Sequence, residues 1–365
     1  MDFYESRITP RAIELATEVL RSGWLSEGAM AKRFEEALAS ELKLAGPVAV
    51  NSGTAAIHLG LAIAGVGPGD EVIVPAQTFV ATAMAVLMQH ARPVFADIDP
   101  RTGNIAPESI RERISPQTKA VIPVHWGGYP CDLHEIGTIA SQHGLAVIED
   151  AAHALGATYR GQPIGAISRF TAFSFQAIKH LTTGDGGALC CRASEDEREA
   201  RSRRWFGIDR QRSAPSHLGE RVFDIDAVGY KYHLNDLAAA VGLGNLEGLA
   251  TQLGRRREIA ARYRRELADV PGLTLLRAET DRESAAWLFT ALVENRDDFI
   301  RHLAADGIPT SVVHLRIDRY TVFGGRRAGL PGQEAFEAHQ ISLPVHAGLS
   351  EDDVNQIVRR IRQGW

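Results

Sequence analysis

Short apolar runs recur at steady intervals along the first half of the chain: VAV (48–50), EVIVPA (71–76), PVFADI (93–98), AVIPVH (120–125), AVIED (146–150), FTAFSF (170–175) and ALCC (188–191). Stretches of helical composition and spacing lie between most of them, such as TAAIHLGLAIAG (54–65) and DLHEIGTIASQHG (132–144). Continuous apolar strands alternating with helices predict an α/β fold: a large domain with a mostly parallel seven-stranded sheet, flanked by helices on both faces. Ligands of such sheets collect beyond the carboxyl ends of the strands. Near residue 245 the pattern changes. LEGLATQLGRRREIAARYRRELADV (246–270) reads as a long helix with a strongly basic solvent face that includes the RRR run at 255–257. A strand-like WLFTALV (287–293), a helix near 296–306 and a closing helix from Glu351 to Arg362 follow. The predicted organisation is a large domain over 1–245, N-terminal segment included, and a linking helix with a smaller C-terminal α/β domain over 246–365.

Composition narrows the function classes. The chain has 365 residues and a formal net charge of −5, without the basic excess typical of nucleic-acid binding. Asp2, Glu5 and Arg7 precede no apolar segment of secretory type, and FVATAMAVLM (79–88) is too short to span a bilayer. Three cysteines, two of them adjacent at 190 and 191, suit a reducing compartment, so a cytoplasmic protein is expected. No Cys/His spacing points to a metal.

The candidate chemistry sits at the strand ends. After the first strand, Ser52-Gly53-Thr54 opens a helix whose free N–H groups suit a phosphate, although Ser and Thr are also ordinary N-caps. Phe79 follows the second strand and either stacks on a planar ligand or belongs to the core. Asp150 ends the fifth strand, where a carboxylate is costly without a partner, and His153 lies three residues on. Ser174 and Lys179 follow the sixth, before Gly186-Gly187, read as a sharp turn. A phosphate cradle, a flat aromatic, a buried carboxylate and a primary amine on one sheet edge describe pyridoxal 5′-phosphate (PLP).

The blocks GWLSEGAMAKRFEEALA, NSGTAAIHLGL, GDEVIVPAQTFVATA, PVFADIDP, AVIEDAAHALGATYRG, FSFQAIKHLTTGDGG, GYKYHLNDLAAAVGL and SLPVHAGLSEDDV, in this order, closely resemble the DegT/StrS family of PLP-dependent nucleotide-sugar aminotransferases, of PLP fold type I. The resemblance implies that Lys179 is the Schiff-base lysine and that Asp150 pairs with the pyridine nitrogen. It places Phe79 on the ring, His153 near the phenolic oxygen, and Gly53, Thr54 and Ser174 around the phosphate. It further implies a homodimer with shared active sites, whose partner donates a phosphate ligand from the segment containing Lys231. The chain departs from the commonest family pattern at Lys231 (often Asn), His233 (often Arg), His180 (often Asn) and Asp185 (often Glu).

The expected reaction is ping-pong transamination from an amino acid, glutamate by analogy, to a keto sugar carried on a nucleotide. A keto-inositol type of acceptor stays open. A PLP-dependent sugar dehydratase is disfavoured because its relatives carry histidine at the lysine position, and a non-catalytic PLP-binding regulator would be expected to lack Lys179 or Asp150. Trp24, Trp126, Trp205, His314 and Arg316 are candidates for substrate contact, and RWFGIDR (204–210) for a nucleotide clamp or a rim segment.

Overall fold

The computed structural model describes residues 1–209 and 214–365. The seven apolar runs form seven strands: β1 Pro47–Val50, β2 Glu71–Pro75, β3 Arg92–Ala96, β4 Thr118–Val121, β5 Ala146–Asp150, β6 Phe170–Ser174 and β7 Gly187–Cys191. They make one sheet in the order β1-β7-β6-β5-β4-β2-β3. Strand β7 pairs antiparallel with β1 and β6, and the remaining pairings are parallel. The carboxyl ends of β1, β2, β5 and β6 therefore reach the same edge.

Successive strand residues face opposite sides, and both sides are dry. Val48, Val50, Val72, Val74 and Ile148 enter one core, and Ala49, Ile73, Val121 and Val147 the other. The covering helices are α1 Pro10–Ser22, α2 Ala29–Leu42, α3 Gly53–Ile63, α4 Ala81–Met88, α5 Pro107–Arg113, α6 Leu133–His143 and α7 Ser194–Arg203. Every residue of α3 from Ala55 to Ile63 is buried, as expected of a helix apolar on all sides. That burial fixes its N-terminus against the ends of β1 and β6.

Helix α8 (Asp236–Glu266) is one 31-residue rod that begins ten residues before the expected start, where the Asn235 side chain accepts from Ala238 N at 2.8 Å. Its Leu246, Leu249 and Leu253 belong to the core of the large sheet. Ile259 and Tyr263 belong to a second core, under the antiparallel strands β8 Leu273–Leu275, β9 Phe289–Val293 and β10 Gln340–Leu343. Helices α9 Arg296–Ala304, α10 Pro331–His339 and α11 Glu351–Arg362 complete this region. Among the described residues no helix is long and apolar enough to cross a membrane.

The arginine run departs from its expected solvent face. Three consecutive residues span about 200° of a helix with 3.6 residues per turn, so they cannot share one side. Arg256 is buried, Arg257 donates to Ser284 O and Gly156 O, and Arg255 reaches Leu349 O and Glu351.

Helix α1 crosses α8 at Gly244, where an added Cβ would collide with the backbone of Ala12. Gly254 lies on the same helix with nothing within 4 Å of such an atom. Gly244→Ala is expected to cost about 1–3 kcal/mol through overpacking, and Gly254→Ala to be neutral or to stabilise by up to about 1 kcal/mol. Urea unfolding midpoints of the two variants check the opposite signs.

Candidate active site

The turn from β1 into α3 begins the site. Ser52 Oγ accepts from Ala55 N at 3.0 Å and so serves as the N-cap, leaving Gly53 and Thr54 to present the first N–H groups of the helix. Gly53 lies against Ser174: an added Cβ would sit 2.9 Å from Ser174 Cβ. Gly187 pairs with Val50 on one side and Ser174 on the other, and a Cβ there would come within 2.6 Å of the Ser52 carbonyl carbon and of Phe173 O. The paired glycines thus serve close approach. In the turn before β7 the positive φ falls instead on Gly184, at +85°.

Asp150 ends β5, fully buried. Thr82 Oγ1 donates to its Oδ2 at 2.7 Å and Ala152 N to its Oδ1 at 3.2 Å. Desolvation raises its pKa above the usual carboxylate value, with the Thr82 and Ala152 bonds opposing. Behind it, Cys131 N donates to His125 Nδ1 at 3.0 Å, so His125 Nε2 carries the proton and donates to Glu149 at 2.8 Å. This dry network fixes the end of the strand without using Asp150 itself.

Lys179 lies in the loop after β6, its N–H donating to Gln176 O. Its Nζ sits 3.7 Å from the centroid of a Trp287 ring. Burial lowers its pKa to about 7, with the nearby Asp150 charge opposing. Trp287 donates from Nε1 to Ile178 O at 3.1 Å and stacks on His153, ring centroids 3.7 Å apart and planes 14° from parallel. His153 is held neutral chiefly by desolvation, and its buried Nδ1 has no hydrogen-bond partner in the chain.

These groups line a cavity of about 480 Å³, together with Tyr4, Thr78, Gln176, Asp185, Ser311, Val313 and His314. Phe79 stands at its mouth, 54% exposed, with its ring centroid 5.2 Å from that of His314, and so does not belong to the core. Lys179, Gly53, Thr54, Phe79, Asp150, His153 and Ser174 therefore converge as the sequence predicts. Lys231 does not join them within one chain. It is exposed beside the end of β1, where its carbonyl accepts from Asn51 Nδ2 at 3.2 Å.

Other candidates fall away for physical reasons. Arg316 is buried in a bidentate pair with Asp318, both bonds 2.7 Å, and has no reach toward a ligand. Arg204 is buried between Glu35 and Glu27, which removes it from any clamp, and Arg210 lies outside the described residues. Trp24 and Trp205 do not line the cavity, and Trp126 packs behind His153 and His314. Sequence reading missed Trp287 and Tyr4. Trp287 had opened a strand-like run and was read there only as structure, and Tyr4 lies in a segment without periodicity.

The chain matches the DegT/DnrJ/EryC1/StrS aminotransferase family over residues 6–362. It belongs to that family. The spore coat polysaccharide biosynthesis protein SpsC of Bacillus subtilis (strain 168) is 39% identical to this DegT/DnrJ/EryC1/StrS member, with 96% of this chain and 93% of SpsC aligned. The sugar aminotransferase CalS13 from Micromonospora echinospora superposes with a TM-score of 0.95 at 35% identity, covering 100% of both chains. Spr1654 from Streptococcus pneumoniae, solved in PLP and PMP forms, superposes in its PLP form at 0.91 with 30% identity, covering 100% of this chain and 98% of that one.

An amine with a pKa of about 7 is half neutral at pH 7, whereas an ordinary lysine, pKa about 10.4, is almost wholly protonated there. Covalent capture of PLP by the cofactor-free protein, corrected with a Lys179→Ala blank, is therefore expected to rise with pH through a midpoint near 7 and to level off about one pH unit above it. A rate still climbing steeply beyond pH 9 contradicts the assignment.

Proposed function

We propose that this aminotransferase uses Lys179 and PLP to move an amino group from an amino acid, glutamate by preference, to a keto group on a nucleotide-linked sugar. The observation that carries the reading is a buried primary amine sharing one cavity with a buried carboxylate, with burial pushing both toward neutrality. The sugar acceptor is supported by the likeness to CalS13 and SpsC.

The residues present fit the cofactor. A Cβ added at Gly53 would press on Ser174, and the cradle of Gly53, Thr54 and Ser174 suits a phosphate at a helix N-terminus. His153 Nδ1 is a buried polar atom awaiting a partner, in keeping with a place beside the phenolic oxygen. PLP supplies an aldehyde that condenses with amines and a protonated ring that draws electrons from the substrate carbon. Asp150, already fixed by Thr82 and Ala152, would hold the proton on the ring nitrogen. Phe79, at the cavity mouth, would cover the ring. Lys179 Nζ, once an incoming amine had taken its place on the aldehyde, would take the proton from the substrate α-carbon and return it to the former aldehyde carbon, serving as base and then acid.

Among the described residues lining the cavity, Lys179 is the only lysine or arginine, and Asp150 and Asp185 are acidic. One reactive amine does not balance a phosphate and a donor carboxylate. This shortage supports a homodimer in which Lys231 of a second copy approaches the phosphate.

Titrating the PLP-loaded protein with L-glutamate should convert its absorption to that of the pyridoxamine form, and Lys179→Ala should slow this by at least about a hundredfold. Asp150→Asn should slow it by about a hundredfold or more while the protein still folds and captures PLP. A loaded wild-type protein that is unchanged by glutamate and by other amino donors overturns the reading.

A further inference from the structure

The wall of the cavity opposite the strand ends carries a backbone feature that folding alone does not require. Val313 has φ +52° and is the only β-branched residue with positive φ among the described residues. His314 N donates to Val312 O at 2.6 Å, closing a γ-turn centred on Val313. Positive-φ γ-turns are rare and strained, most of all at a β-branched residue. Such a conformation persists only where its surroundings over-determine it, and these residues cluster at functional sites.

The surroundings here are three buried glutamines from separate elements. Gln77, just beyond β2, donates from Nε2 to His314 O at 3.0 Å, and Gln340 of β10 does the same at 3.0 Å. Gln333 of α10 donates from Nε2 to Gln77 Oε1 at 2.9 Å, which turns the Gln77 amide nitrogen toward His314. Gln333 is anchored in turn, its backbone N–H donating to Asp97 Oδ1 at 2.7 Å. Ser311 Oγ accepts from Val313 N at 3.0 Å on the near side of the turn. All three glutamines are fully buried, and Gln333 Oε1 and Gln340 Oε1 are left without partners, a cost that an interior serving stability alone would shed by using apolar side chains.

The turn places the His314 ring in the lysine cavity, between Phe79, centroids 5.2 Å apart, and His153, 6.0 Å apart with planes 17° from parallel. We propose that Gln77, Gln333 and Gln340 are positioning residues for amino transfer: they hold the strained turn at Val313 and so fix the His314 imidazole over the reacting atoms beside Lys179. The proposal rests on the aminotransferase reading above. Burial and the Lys179 charge keep His314 neutral, with its pKa near 4, so one ring nitrogen donates and the other accepts. A misplacement of about 1 Å in such a group costs up to about a hundredfold in rate.

Gln77→Leu removes one donor to His314 O and the acceptor of Gln333 Nε2. The test compares this holoenzyme with wild type, His314→Ala and the double variant in single-turnover reaction with L-glutamate, and determines the Gln77→Leu crystal structure. The expected result is a rate constant about tenfold or more below wild type, with the apparent Kd for glutamate within about threefold. The double variant should be no slower than His314→Ala, because the glutamine acts through the histidine. The crystal structure should show Val313 relaxed to negative φ and the imidazole displaced. If Gln77→Leu does not fold, Gln340→Leu removes the other donor to His314 O and carries the same expectations. Multiplicative losses in the double variant, or an unmoved turn in the crystal structure, overturn the proposal. A wild-type holoenzyme inert to glutamate counts against the donor reading of the preceding section, and the crystal structure then decides the positioning claim.

Discussion

The site depends on keeping a primary amine and a carboxylate out of water within one cavity. Desolvation pushes Lys179 down and Asp150 up, each toward neutrality, while their mutual attraction pulls the other way. In the cofactor-free chain the first effect prevails at both groups. A cationic ring nitrogen beside Asp150, as proposed for the bound cofactor, would reverse the balance at that residue, since an opposite charge in contact favours the carboxylate. The fold therefore holds a carboxylate in waiting and a nucleophile already half neutral. The buried α3, the dry His125–Glu149 pair and the close contacts at Gly53 and Gly187 keep the groups around them in register.

The two sides of the cavity are made differently. On the sheet side, regular strands and a helix N-terminus present rigid groups. On the other side, Trp287 and His314 come from the region around the smaller sheet, and Tyr4 from the N-terminal segment. Tyr4 stacks on Trp287 with centroids 5.5 Å apart, Ser6 Oγ donates to Ala177 O at 2.6 Å, and Thr9 N donates to Asn245 Oδ1 at 2.9 Å. The N-terminal segment is thus stitched across the lysine loop to α8. The loop that carries Lys179 is therefore packed directly against the N-terminal segment.

Legibility in the sequence followed the range of the interactions. Strands such as β5, ending at Asp150, were readable to within a residue or two because continuous apolar runs report burial on both faces. The antiparallel insertion of β7 between β1 and β6 left no such mark, since its GALCC composition would suit either direction. The early start of α8 was not read from the sequence, although Asn235 is a residue type common at N-caps. Arg316 looked available because sequence does not show that Asp318, two residues on, takes the Nε and one Nη of its guanidinium in a buried bidentate pair. Trp287 and the glutamines at 77, 333 and 340 act through contacts between residues tens to hundreds of positions apart, and nothing local distinguishes them from ordinary core or surface positions.

The central claim is that Lys179 is the residue that binds the cofactor covalently. Borohydride reduction of the PLP-loaded protein, followed by proteolysis and mass mapping, tests it most directly. A phosphopyridoxyl group fixed on the peptide carrying Lys179, at about one per chain, is the result this account predicts. Label on another lysine, or none on a protein that has bound PLP, would contradict it.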